Sequence, residues 1–342
     1  MILAPCLAAA LIVAAHDDGP RLAGGFIQFQ TPVTTGGMSE ARWRNVLDAM
    51  RKVKIHTIII QRTAADAVSF VPLGKEFLDS TGIILRDAEI HGMDVFVGLK
   101  EDSRWGHMFG NDTFLEGLTA ANIALARDLQ HRYGGNKAFR GWYIPQEMAN
   151  LNYTAGQIQN LSKYFRAVGD ACRAFSHGKP VAVSPFFNPL IKPGEPGFGD
   201  LDPGCFATVY GQFLDHAKLD IVMLQDGVGT RGLKAGDLPV RLIPYFQAFQ
   251  QLCRSKHIAL WGNVENFEIV PGQPDMNDFW PTDIDRLESQ IRATAPFVKE
   301  LVTFDFFHYM NPYGYLHEDQ SETVYRARER VLYNAYKNDF AP

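Results

Sequence analysis

Eight times along this chain a short apolar run rich in β-branched and aromatic residues gives way to a longer segment whose apolar residues recur every three or four positions. Alternation of that kind marks βα units laid around a parallel sheet, and eight such units are what a closed barrel requires. The runs at 25–29, 56–61, 94–99, 139–144, 181–185, 220–224, 259–264 and 301–307 are predicted strands. Segments 40–53, 77–91, 113–133, 155–175, 206–216, 240–257, 284–299 and 326–336 are predicted outer helices. Ser39, Thr154 (with Gln157 in capping-box spacing) and Asp283 stand where helix starts are expected, and Gly92 where a C-cap is wanted. The predicted fold class is α/β, a single (β/α)8 TIM barrel.

A chain of 342 residues could hold two average domains, but barrels run past about 250 residues as one unit. No Pro- or Gly-rich linker divides it, so one catalytic domain is expected over 21–342, behind a signal peptide over 1–20. The long irregular stretches 63–75, 102–112, 186–203, 226–237 and 266–281 all follow predicted strands. In a barrel that is the face where the βα loops build active sites.

The balance of 46% hydrophobic and 21% charged residues supports a large core. A net charge of -5 with scattered Lys and Arg supplies no basic field, which argues against a nucleic acid partner. The apolar run from Met1 to Ala15 ends in Val13-Ala14-Ala15 like a signal cleavage site and is too short to span a bilayer. The expectation is therefore a secreted or periplasmic protein with no stable membrane insertion once that segment is removed. Cys172, Cys205 and Cys253 would remain, allowing at most one disulfide. There is no G-x-S-x-G elbow, Walker loop, H-E-x-x-H or dinucleotide fingerprint, and the ten histidines form no ligand-spaced pair. No metal and no cofactor are expected.

Chemistry concentrates at two strand ends. The fourth run continues through Tyr143-Ile144-Pro145-Gln146 to Glu147, and the seventh ends Trp261-Gly262-Asn263-Val264-Glu265. By alternation Tyr143 shares a side with Glu147, and Trp261 and Asn263 share one with Glu265. Two carboxylates at strand tips across a barrel mouth are what glycosidic cleavage needs, about 5 to 5.5 Å apart when configuration is retained. Either glutamate alone reads more simply as a solvated or capping residue; their matching positions favour the pair. Glu268, three residues on, is the rival.

Gln28, Gln61, Asn188 and Gln225 are amides at or near other strand ends and suit sugar hydroxyls, although any of them could instead satisfy loop backbone. Asp226 fits either a turn or a contact to the sugar or the carboxylate. Trp105 and Trp280, in βα loops, are candidate sugar platforms or loop clamps.

The placement of these glutamates resembles the large clan of retaining barrel glycosidases. That resemblance implies Glu147 as acid/base and Glu265 as nucleophile, with an aromatic at the eighth strand tip, Tyr309 or His308, forming the floor of the sugar subsite. The chain departs from the clan where Gln146 stands in place of the usual Asn before the acid/base. A closer resemblance, over roughly 24–313, is to the domain of unknown function 4434 family, a glycosidase-like barrel group. It is carried by GGFIQ (24–28), IIIQ (58–61), VGLK (97–100), GWYIPQE (141–147) and LQDGVG (224–229). The sequence thus points to a retaining glycoside hydrolase with a carbohydrate substrate, or alternatively to a non-catalytic glycan-binding TIM barrel.

Overall fold

The computed structural model describes residues 19–29, 38–71, 78–192, 194, 200–270, 279–315 and 324–341, so nearly all of the predicted signal segment lies outside the described residues. Eight parallel strands close into a barrel: β1 (Gly24–Ile27), β2 (Thr57–Ile60), β3 (Asp94–Gly98), β4 (Phe139–Ile144), β5 (Val181–Val183), β6 (Ile221–Gln225), β7 (Ala259–Glu265) and β8 (Glu300–Phe304). Each pairs with its sequence neighbours, and β1 pairs with β8 to complete the ring. Outside lie α1 (Glu40–Lys52), α2 (Ser80–His91), α3 (Asp112–Tyr133), α4 (Ala155–Phe175), α5 (Pro203–Ala217), α6 (Leu238–Ser255), α7 (Ile284–Thr294) and α8 (Val324–Phe340).

Strand pleating makes two cores. Outward-facing residues such as Ile27, Ile60, Val97, Ile144 and Leu224 pack beneath the helices, while Phe26, Ile59, Phe96, Tyr143, Ala182, Met223, Trp261 and Val302 fill the barrel interior. The helices are tied to one another as well as to the sheet: Trp43 on α1 is fully buried and donates its indole N–H to Ser80 Oγ at the start of α2, 3.0 Å away.

Helix ends follow the local chemistry of the sequence. Ser39 caps α1, Thr154 and Gln157 form a reciprocal capping box on α4, and Gly92 ends α2 in the left-handed conformation at φ 67°. Asp283 makes no side-chain cap; its carboxylate faces Arg328 on α8 instead. The prediction misses in kind at the eighth strand. It stops at Phe304, because Asp305 caps a short helix, Phe306–Tyr309, through its carboxylate, which takes the run 306–309 out of the sheet.

Two glycines separate geometric need from tolerance. A Cβ on Gly98, inside the barrel, would run into the carbonyl oxygens of Ile60 and Gln61 on the neighbouring strand, whereas one on Gly117, on the exposed side of α3, meets nothing within 4 Å. Gly98→Ala is expected to cost more than about 3 kcal/mol or abolish soluble expression, while Gly117→Ala should stabilise by about 0.5–1 kcal/mol. Urea unfolding of the two variants beside the parent checks both, and a harmless Gly98→Ala would contradict the packing described here.

Candidate active site

The inward face of each strand is set by the interior core, and continuing the alternation to the C-terminal ends brings a polar layer above it. Phe26 points inward, hence Gln28; Ile59, hence Gln61; Tyr143, hence Glu147; Met223, hence Gln225; Trp261 and Asn263, hence Glu265; Val302, hence Phe304. Amides and carboxylates therefore ring the mouth, and the part-buried Phe304 ring, level with Glu265, contacts Phe26 and Phe267.

Glu265 is only 3% exposed, and its carboxylate is held at both oxygens. Oε1 accepts from Gln225 Nε2 at 2.9 Å and Oε2 from the Gly229 backbone N–H at 2.6 Å. Its own N–H donates to Asp226 Oδ1 at 3.2 Å, while its carbonyl accepts from Arg286 at 3.1 Å and Gln290 at 3.0 Å, both on α7. The loop that builds this cradle needs its glycines. Gly227 has φ +60°, and a Cβ on Gly229 would stand 2.5 Å from the Phe267 ring. Burial, then the Asp226 carboxylate, raises the Glu265 pKa above the usual carboxylate range; the Gly229 and Gln225 donors and Arg286 pull it back.

Glu147 lies under a different balance. Trp105 Nε1 donates to its backbone carbonyl at 2.6 Å, fixing the main chain, but nothing among the described residues donates to its carboxylate. Its side chain keeps some solvent contact yet is largely surrounded by protein. Burial first, then Glu101 and Glu265, push its pKa from the ordinary 4.5 up to about 8. Glu101 was not singled out in the sequence: it follows β3 in the short strand Lys100–Glu101, and only the structure brings it beside Arg62 and Gln61, which it accepts from.

Of the residues read as sugar contacts, Gln28 and Tyr309 are part-exposed, the latter against the Phe267 ring. Gln61 and Gln225 are nearly buried, each donating to a mouth carboxylate. The others are spent elsewhere. Tyr143 and Trp261 fill the barrel interior below the mouth, and Asn263 is fully buried between Ser184 and Gln225. Asp226 is buried behind Glu265, where it accepts from Gln290 at 2.7 Å. Asn188 is a loop residue, bonded to Asp200 at 2.7 Å and to Arg231 at 3.2 Å. His308 is buried with its Nδ1 2.6 Å from Asp305, so neither it nor Tyr309 ends the strand; Phe304 does. Both loop tryptophans act as clamps: Trp105 as above, and Trp280 by donating to Glu268 at 2.9 Å, with Arg328 stacked 4.2 Å from its ring. Glu268 is thereby tied to the hairpin of Phe267–Ile269 and Phe279–Pro281 and to Arg328.

The family model described as "Domain of unknown function (DUF4434)" matches residues 22–314. The chain belongs to this family. No curated protein matches it. Among solved structures, it superposes on a "putative alpha-L-fucosidase" from Bacteroides thetaiotaomicron VPI-5482 with a TM-score of 0.72 at 21% identity, covering 98% of this chain and 99% of that one. An endo-beta-1,4-mannanase from Thermotoga petrophila gives 0.61 at 11% identity over 94% and 77% of the two chains. A beta-D-glucuronidase from Dictyoglomus thermophilum gives 0.58 at 10% identity over 95% and 51%. This DUF4434 member is thus a glycosidase-like TIM barrel in fold. Among the described residues, no helix is long and apolar enough to cross a membrane.

In this DUF4434 barrel the raised Glu147 makes stability depend on pH without any substrate. Because the folded protein holds a proton there that the unfolded chain has released, its stability contribution is complete below pH 4.5 and declines as pH climbs to about 8. A glutamine cannot ionise. Glu147→Gln should match the parent's melting temperature near pH 4.5 and exceed it by a growing margin, of roughly a few degrees, as pH rises to about 8. A calorimetric pH series in which the margin stays flat would show that Glu147 titrates normally.

Proposed function

We propose that this protein is a retaining glycoside hydrolase in which Glu147 is the acid/base and Glu265 the nucleophile. The observation that carries the reading is the opposed setting of two carboxylates on β4 and β7. Glu265 is held by two hydrogen-bond donors that favour its ionised form, and Glu147 has none and is kept protonated by burial and by its acidic neighbours. In the first step Glu265 attacks the anomeric carbon while the Glu147 proton passes to the departing glycosidic oxygen. In the second, Glu147 takes a proton from water, whose oxygen displaces Glu265 from the same carbon with net retention. The fold it shares with the fucosidase-like, mannanase and glucuronidase structures is compatible with this chemistry but does not assign it. The substrate class is an oligo- or polysaccharide.

A second reading, a glycan-binding barrel without turnover, is favoured by Gln146. Its amide donates to the Lys100 carbonyl at 2.8 Å and accepts from Tyr164 at 2.6 Å, so it offers no group beside Glu147 to a sugar hydroxyl.

A glycan screen followed by kinetics separates the two. Glu147→Ala should lower kcat/KM by roughly 10²- to 10⁴-fold on substrates with poor leaving groups and far less on activated ones, with azide restoring part of the turnover as a product of retained configuration. Glu265→Ala should lose both kinds of substrate. A glycan that binds tightly while wild type releases no reducing sugar from it would establish the binding module instead.

A further inference from the structure

The amide of Gln225 can stand either way round, and the two choices are chemically opposite at Glu265. With Nε2 toward the carboxylate, the contact is a charge-assisted hydrogen bond that favours the ionised acid. With Oε1 there, two oxygens meet and Glu265 must carry a proton. What selects between them lies one layer down the barrel.

Ser184, fully buried just past β5, donates its hydroxyl proton to the Met223 carbonyl at 2.8 Å, so toward its other neighbours Oγ can only accept. Asn263 Nδ2 supplies that donor at 3.0 Å, which fixes the Asn263 amide. The same nitrogen directs its second N–H to Gln225 Oε1 at 3.3 Å. Gln225 is left with Nε2 facing Glu265 Oε1, 2.9 Å away. Reversing any one amide would set two acceptors or two donors against each other along the line.

We propose that Asn263 is a positioning residue which, anchored by Ser184, holds the Gln225 amide donor-side toward Glu265; the inference deepens, and rests on, the nucleophile role proposed above. Asn263 touches no substrate in this arrangement. It acts through Gln225. Among the described residues the titratable or charged groups nearby include Asp226 after β6, Glu147 after β4, Arg286 on α7, Tyr309 on the short helix and Tyr143 on β4, which bonds Ser184, and neutral substitutions at 263, 225 and 184 leave these side chains in the protein.

The test titrates Glu265 directly by ¹³C NMR of protein labelled at the glutamate side-chain carboxyl, with the signal assigned through Glu265→Gln. Gln225→Leu should raise the Glu265 midpoint by about one to two pH units, the worth of one hydrogen bond to a charged group. Asn263→Leu should raise it by a smaller amount, and should add nothing once Gln225→Leu is present, because both act through one amide. Ser184→Ala should move it the same way more weakly, and carries the test if Asn263→Leu does not fold. A Glu265 midpoint unmoved in folded Asn263→Leu or Ser184→Ala would overturn the proposal, as would an Asn263→Leu shift that persists undiminished without Gln225. The titration needs no substrate, so an absence of hydrolysis would remove the nucleophile role, whereas an unmoved midpoint would remove only the positioning role.

Discussion

The demand that shapes this end of the barrel is the burial of the Glu265 carboxylate. An ionised acid withdrawn from water is costly unless donors replace its hydration, and Glu265 is nearly sealed. The donors come from one short loop: Gln225 from the tip of β6 and the Gly229 N–H, four residues on. To bring both to one side chain the loop turns through a left-handed Gly227 and passes so close to Phe267 that only glycine fits at 229. Behind it, α7 presents Arg286 and Gln290, one turn apart on its buried face, to the carbonyl of Glu265. The stretch 224–229 and helix α7 are thus two halves of one receptor for the end of β7.

Against this, Glu147 is defined by what surrounds it without bonding to it. Its main chain is pinned by Trp105, and that indole in turn packs against Tyr164 and Phe165 of α4, so the carboxylate is placed accurately while remaining without a donor. Glu101 stands nearby, already paired with Arg62. The result is two glutamates of the same chemistry, both raised by burial but unequally furnished: Glu265 has donors that pull its pKa back, and Glu147 has none, an asymmetry of the kind the proposed two-step displacement uses.

How much of this was legible in the sequence follows from what alternation encodes. It tells which side of a strand a residue faces, so the eight strands, the closed barrel and the inward placement of Glu147, Glu265, Gln61 and Gln225 could all be read. It does not tell depth. Asn263 and Trp261 share a side with Glu265 but lie one and two layers lower, where a polar group meets protein rather than ligand and an indole becomes core. Strand ends are equally hard to read when the flanking sequence stays apolar. In Phe304-Asp305-Phe306-Phe307 the only stop signal is an aspartate, and its role as a helix cap depends on the amide of His308 three residues later. Asn188 and Glu101 were indistinguishable in type from mouth residues; long-range partners, Asp200 and Arg231 for one and Arg62 for the other, decide their work.

Correcting the end of β8 also changes what the mouth can hold. With His308 turned into the protein toward Asp305, the aromatic that ends β8 is Phe304, in contact with Phe26 at 5.3 Å and Phe267 at 6.4 Å. Around it stand amides and carboxylates contributed by the neighbouring strands. An apolar plate among polar groups complements a molecule with one flat apolar face and an edge of hydroxyls, because stacking replaces water on the face while the amides match donors and acceptors around the edge. A sugar ring, the ligand of the proposed function, has that form. The strand-end residues are set by the pleat of the strands, whereas the surroundings beyond them are set by loop sequence, so barrels that share this architecture can differ in what they bind.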